Sequence, residues 1–468
     1  MKPSNLIAAA ILFISGTAFD SVNATDWPQW RGPDGTGYAA NCNPPTQWSG
    51  TKNIRWKVEI PGAGHASPIV VGDRVYVLTA VRAGQADPSP KVEPDTADDR
   101  LAGRDETRRR GGREGRRRRG RMGAPKPSQV YEFYVLALDR RNGEMQWRTK
   151  VREEVPHEGT HRTASFASST PVADDEHVYA FFGSRGIFCL DMDGRVKWEK
   201  DLGEMRTRNS FGEGGSPALY GDTFVVPWDH EGDSVVVALD KNTGDEKWRV
   251  NRTERTSWTS PVIVQQVEGT TQVVMAGAEA SIGYELSTGK EIWRCSGLTM
   301  NVVPTPVVGN GMIYLMSGFR GSALQALKLD EAEGDISGSD AVVWTVDRGT
   351  PYVPSPLLSG DRLYCLRSNV GNISCFDAIT GVAHYSGVQL EAVANVYASL
   401  VGAGGRVYVC GREGDVVVLA DGPELSILAT NSLGEGIDAT PAIVDDEIFI
   451  RGSRHLFCIA KAQGQGAN

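Results

Sequence analysis

The chain has no adjacent cysteines, and none of its seven cysteines has Cys-x-x-Cys spacing. That removes the usual structural zinc site. There is no G-x-S-x-G, no H-E-x-x-H and no C-x-x-C-H, so the common hydrolase and c-type haem signatures are missing. Histidine is scarce, at seven scattered residues. After residue 24 no apolar run approaches the ~18 residues of a membrane helix. Basic charge is also short: 49 Lys and Arg against 58 Asp and Glu leave a net of −9, unlike a nucleic-acid binder. What is plentiful is glycine, at 54 of 468 residues, where ~7% is usual. The hydrophobic fraction of 40% suffices for a packed core, which excludes global disorder.

Residues 1–24 have the pattern of a secretory signal peptide. Lys2 supplies the positive start, Leu6 to Phe13 the short apolar stretch, and Val22-Asn23-Ala24 the small residues before a cut. The expectation is an exported, soluble protein, periplasmic or extracellular, with no transmembrane segment in the mature chain.

A unit of about 45 residues recurs along the chain, and such periods decide architecture. Units open at Ser67-Pro68, Thr170-Pro171, Ser216-Pro217, Ser260-Pro261, Thr305-Pro306, Ser355-Pro356, Ser399-Leu400 and Thr440-Pro441. Within each, residues alternate with period two. Pro68-Ile-Val-Val-Gly-Asp-Arg-Val-Tyr-Val reads as strand, turn, strand, and Pro356-Leu-Leu-Ser-Gly-Asp-Arg-Leu-Tyr-Cys nearly repeats it. A third strand follows a Gly-rich turn. A fourth carries an aromatic: Trp147, Trp198, Trp248, Trp293, Trp344 or Tyr385. Four strands per unit and eight units predict an all-β, eight-bladed β-propeller of four-stranded blades. Seven blades is the alternative count. The last unit has only three strands. Asn53-Ile-Arg-Trp-Lys-Val-Glu, with Trp56 at the aromatic position, is expected to supply the fourth and close the ring.

Cys189, Cys375 and Cys458 share one repeat position and read as small buried hydrophobes. Cys365 and Cys375 are symmetric about Val370, so a hairpin disulfide is also considered. Residues 81–128 interrupt the first unit with 14 basic and eight acidic residues. Such a stretch is expected to be a disordered Arg-rich loop, either a tolerated insertion or a contact for anionic polymers. Residues 25–468 otherwise form one domain.

The stretch from Ala137 to Trp147, ALDRRNGEMQW, recurs as Ala238 to Trp248, ALDKNTGDEKW. This A-x-D-x-x-T-G-x-x-x-W pattern resembles the repeat of quinoprotein dehydrogenases, which use pyrroloquinoline quinone (PQQ). It also resembles the repeat of the non-catalytic outer-membrane assembly lipoproteins. The start DWPQWRGPDGTG, Asp26 to Gly37, is similar to the leader of secreted planctomycete-type PQQ-like propellers. The resemblance implies the fold over nearly all of 26–460. PQQ and Ca²⁺ are the cofactors it would bring. Quinoprotein alcohol dehydrogenases, however, add a vicinal disulfide, and this chain has no adjacent cysteines.

The turns between second and third strands place arginines near one rim in five blades: Arg185, Arg320, Arg367, Arg412, and the Arg451-Gly-Ser-Arg454 turn of the last unit; the first four are the candidate ligand-binding arginines. Residues leading into the innermost strands, among them Trp258, Tyr352, Asn395 and Asp438, belong to the same face. Arginine beside aromatics around one mouth suits an anionic or carboxylate-bearing ligand, or an acidic partner protein. His157 and His161 lie four apart in loop-like sequence, so no metal site is expected. No catalytic residue is assigned. The expected function is a non-catalytic ligand- or protein-binding scaffold, with a PQQ-dependent oxidoreductase as the alternative.

Overall fold

The computed structural model describes residues 26–50, 52–84, 125–265 and 269–461. The expected signal peptide and the body of the Arg-rich insertion lie outside the described residues. No helix among the described residues is long and apolar enough to cross a membrane.

Eight antiparallel four-stranded blades surround one axis. The innermost strands are Ile69–Val71, Val172–Ala173, Ala218–Tyr220, Val262–Val264, Val307–Gly309, Leu357–Ser359, Val401–Ala403 and Ala442–Val444, which number blades 1 to 8. The count is eight rather than seven. Ile54–Glu59 pairs antiparallel with His455–Ala460 and completes blade 8, with Trp56 opposite Cys458. First and last segments thus share a sheet, and the ring closes without an open seam.

Period-two alternation sends successive side chains to opposite faces of each blade, so every blade feeds two interfaces. In blade 1, Val75 and Val77 face blade 8 while Tyr76 and Leu78 face blade 2. The core is accordingly divided into inter-blade clusters rather than one central mass. The same alternation overturns the hairpin disulfide considered above. Cys375 lies opposite Tyr364, and Cys365 opposite Ser374. The two thiols therefore point to opposite faces, Cys375 toward blade 7 and Cys365 toward blade 5. All seven cysteines are free and buried.

Two repeated details explain the sequence unit. The Ser or Thr that opens each unit lies at the axis. Its hydroxyl accepts the backbone N–H of the equivalent residue one blade earlier: Ser67 N–H donates to Thr170 Oγ1, Thr170 to Ser216, Ser216 to Ser260, and so on through Ser399 to Thr440, at 2.9–3.1 Å. These buried N–H groups have no strand partner, and the hydroxyl belt satisfies them. Farther out, the outer tryptophans of blades 1, 2, 3 and 5 lie over the glycine-containing turn of the next blade. Trp147 Nε1 donates to Met192 O, Trp198 to Lys241 O, Trp248 to Leu286 O and Trp344 to Ala378 O. Trp293 departs from this, because blade 5 replaces that turn with a longer loop. Gly334–Asp335 of the loop pairs with Glu291–Cys295 of blade 4, and the buried Trp293 donates to Gln272 Oε1 in its own blade.

The leader-like residues 26–43 cross the axis. Trp27 exchanges backbone hydrogen bonds with Val70 of blade 1, and Ala173 of blade 2 donates to Pro28 O. Arg31 donates through Nη2 to Pro356 O at the start of blade 6's inner strand. Tyr38–Ala39 pairs parallel with the inner strand of blade 7. Asp26 Oδ1 accepts from Gly72 N in blade 1's first turn, so the segment closes the end of the channel that carries the first turns. The opposite end carries the Arg turns.

Candidate functional site

In each blade the turn between second and third strands faces the same way as the connector leading to the next blade, and together they rim the open mouth. The sequence-predicted residues fall into three clusters there. On blades 2 and 3, Gly183–Arg185 forms a single 3₁₀ turn and aims Arg185 inward. The guanidinium is buried, lies 5.2 Å from the centre of the Phe166 ring, and donates from Nη1 to Glu213 Oε2 at 2.6 Å. Glu213 also accepts from Ser184 N and Ser184 Oγ. A water-sized cavity of about 10 Å³ lies between Ser165, Phe166, Ser169, Arg185 and Glu213. The sequence-predicted Trp258 stands beside this cluster, half-buried, packed toward Phe211 and donating from Nε1 to Gly212 O.

On blades 7, 8 and 1, Arg412 repeats the arrangement. It is buried, lies 4.1 Å from the Tyr397 ring centre, and donates from Nε to Asp438 Oδ1 at 2.6 Å. His65 Nε2 is 3.8 Å from Asp438 Oδ2. Desolvation by surrounding protein, followed in size by the opposing pull of Asp438, leaves the His65 pKa below its ordinary value; Arg412 and Arg451 push the same way as desolvation. Asn395 accepts Arg412 N–H through its backbone oxygen and donates from Nδ2 to Glu413.

The third cluster, on blades 5 and 6, differs. Phe319 and Tyr352 stack at 5.0 Å and 29°. The Arg320 guanidinium lies 5.5 Å from the Phe319 ring centre. Tyr352 N–H donates to Ser368 O, which places Arg367 alongside. Arg320 and Arg367 are exposed, and neither forms an ion pair among the described residues.

The four candidate arginines thus divide into two kinds. Arg185 and Arg412 join their blade to an acid on the next connector; Arg320 and Arg367 face solvent beside stacked aromatics. Phe319 and Glu213 were missed by sequence reasoning. Glu213 had a readable signal: like Asp438, it precedes the opening Ser or Thr of its unit by two or three residues, and only where the preceding turn carries a buried arginine.

The family profile described as outer membrane protein assembly factor BamB matches residues 132–294 and 232–467. No curated protein sequence matches the chain. Among solved structures, BamB from Moraxella catarrhalis is 14% identical, with a TM-score of 0.50 over 70% of this chain and 93% of that one. The quinohemoprotein alcohol dehydrogenase ADHIIG from Pseudomonas putida HK5 is 11% identical, with a TM-score of 0.55 over 95% of this chain and 82% of that one. Identities this low speak for the fold alone. With the profile spanning well over half its length and the repeat visible in every blade, the chain belongs to the PQQ-like β-propeller family that includes BamB.

Proposed function

We propose that this propeller is a non-catalytic binding module whose mouth takes an acidic segment of a partner protein. The observation that carries the reading is the patch of Phe319, Arg320, Tyr352 and Arg367. It combines an aromatic stack with two exposed cations that have no acidic partner of their own among the described residues. Arginine recognises carboxylates through paired N–H donors, and stacked rings bury apolar parts of a side chain while lending cation–π support. The BamB description of the family supports a protein as the partner.

The quinoprotein alternative has less support in the residues. PQQ carries several carboxylates and would need arginines to meet them. Of the buried arginines around the mouth, Arg185 and Arg412 already hold Glu213 and Asp438 at 2.6 Å, so a quinone bound through these two would have to displace the carboxylates and leave them buried without a cation. The seven cysteines are separate buried thiols, so no vicinal disulfide forms a wall for a flat ring. These two features favour the binding module over the quinoprotein reading. Reconstituting the purified chain with PQQ and Ca²⁺ and assaying dye reduction with alcohols and sugars tests this. The expected result is no turnover above the cofactor alone; steady turnover would reverse the assignment.

A further inference from the structure

We infer that His157, Glu158 and Glu213 form a binding site for a divalent transition-metal ion beside the mouth, one that joins two blade connectors. The three side chains come from two loops, His157 and Glu158 from 155–165 after blade 1 and Glu213 from 201–215 after blade 2. Each offers one ligand atom, and these atoms lie within 4.8 Å of one another. His157 and Glu158 are half-buried and reachable from solvent, while the Glu213 carboxylate lies deeper, its side chain 6% exposed.

The chemistry of the individual groups sets the ligand atoms. His157 Nε2 lies 2.6 Å from Met205 O. A carbonyl oxygen only accepts, so Nε2 carries the proton and the neutral ring keeps its lone pair on Nδ1. An imidazole that donates one N–H to a backbone carbonyl, with the other nitrogen bare, is the arrangement that orients a metal-binding histidine. Glu158 is anchored through Oε1, which accepts from Thr207 N and Thr207 Oγ1. That anchor leaves Oε2 for a ligand. Glu213 is fixed by Ser184 and Arg185. Arg185 balances one of the two carboxylates, and a divalent ion would meet the other together with the imidazole.

One nitrogen and two carboxylate oxygens favour first-row divalent ions over Ca²⁺, which prefers oxygen ligands alone. Three protein ligands leave coordination positions open for water. Binding there would tie the connector after blade 1 to the connector after blade 2, next to the Phe211 and Trp258 side chains.

The test uses the full chain stripped of metal by chelator. Zn²⁺ is titrated by calorimetry, and Co²⁺ by its visible absorption bands. One equivalent of either should bind. His157→Asn and Glu158→Gln should each weaken binding at least about tenfold. His157→Asn should also shift the Co²⁺ bands as nitrogen gives way to oxygen, a change that a loss of folding would not mimic. His161→Asn, four residues away on the same loop, should leave both readouts as in the parent. Absence of stoichiometric binding would overturn the site, as would binding that neither ligand variant changes.

Discussion

At the residue scale, the repeat unit is set by two contacts that a sequence shows only as letters. The glycine of each Thr-Gly turn adopts a positive φ, and its missing side chain makes room for the preceding blade's tryptophan. A Cβ on Gly381, at φ 72°, would lie 2.6 Å from Trp344 Cδ2. Gly311 has the same φ of 72° with nothing within 4 Å of a Cβ. Gly311→Ala should therefore cost only the left-handed backbone, about 1–2 kcal/mol. Gly381→Ala should cost clearly more, since the indole must also give way and strain its bond to Ala378 O. Denaturant melts of the two variants measure the difference; equal losses would mean that the ring contact contributes nothing. The Asp and Thr-Gly letters were legible as a turn, and the tryptophan as bracing. The ring belt of Ser and Thr hydroxyls was not, because each bond joins residues 41 or more positions apart.

At the scale of elements, neighbouring blades are held by apolar clusters and by a few buried ion pairs. Asp421, in the outer turn of blade 7, reaches into blade 6. Its carboxylate accepts from Arg362 Nε at 2.7 Å and Tyr364 OH at 2.7 Å, and from Ser359 Oγ. Burial raises its pKa, but these donors outweigh burial and hold it below the usual aspartate value. The unfolded chain then takes up this proton first as pH falls. The stabilisation is present above the unfolded value near 3.9 and is lost as pH drops through the lower folded value. Asp421→Asn should cost about 3 kcal/mol at pH 7, the low end for a buried pair because Arg362 is partly exposed. The gap in melting temperature between parent and variant should narrow below about pH 4. A gap that stays constant with pH would show that Asp421 is not held as its carboxylate.

At the scale of the whole molecule, the blade count and the closing strand were legible because they rest on periodicity and on one unit short of a strand. The course of residues 26–43 across the axis was not. Nothing in a Trp- and Gly-rich leader specifies which inner strands it will meet, and its contacts run to blades 1, 2, 6 and 7. The ring of equivalent turns was legible too, but the different fates of its arginines depend on partners in other blades. Arg185 and Arg412 find acids on the next connector, whereas Arg320 and Arg367 find none among the described residues and remain beside Phe319 and Tyr352. That division is the reason the proposed binding function is assigned to blades 5 and 6. The most direct measurement is a calorimetric titration of a Glu-rich peptide into the parent chain and into the double variant Arg320→Ala, Arg367→Ala, at moderate salt. Loss of two charge-assisted contacts should weaken binding on the order of 10²-fold or more, with melting temperatures nearly equal because both side chains are exposed. Equal affinity in the two proteins, or no binding to the parent, would contradict a binding face at this patch.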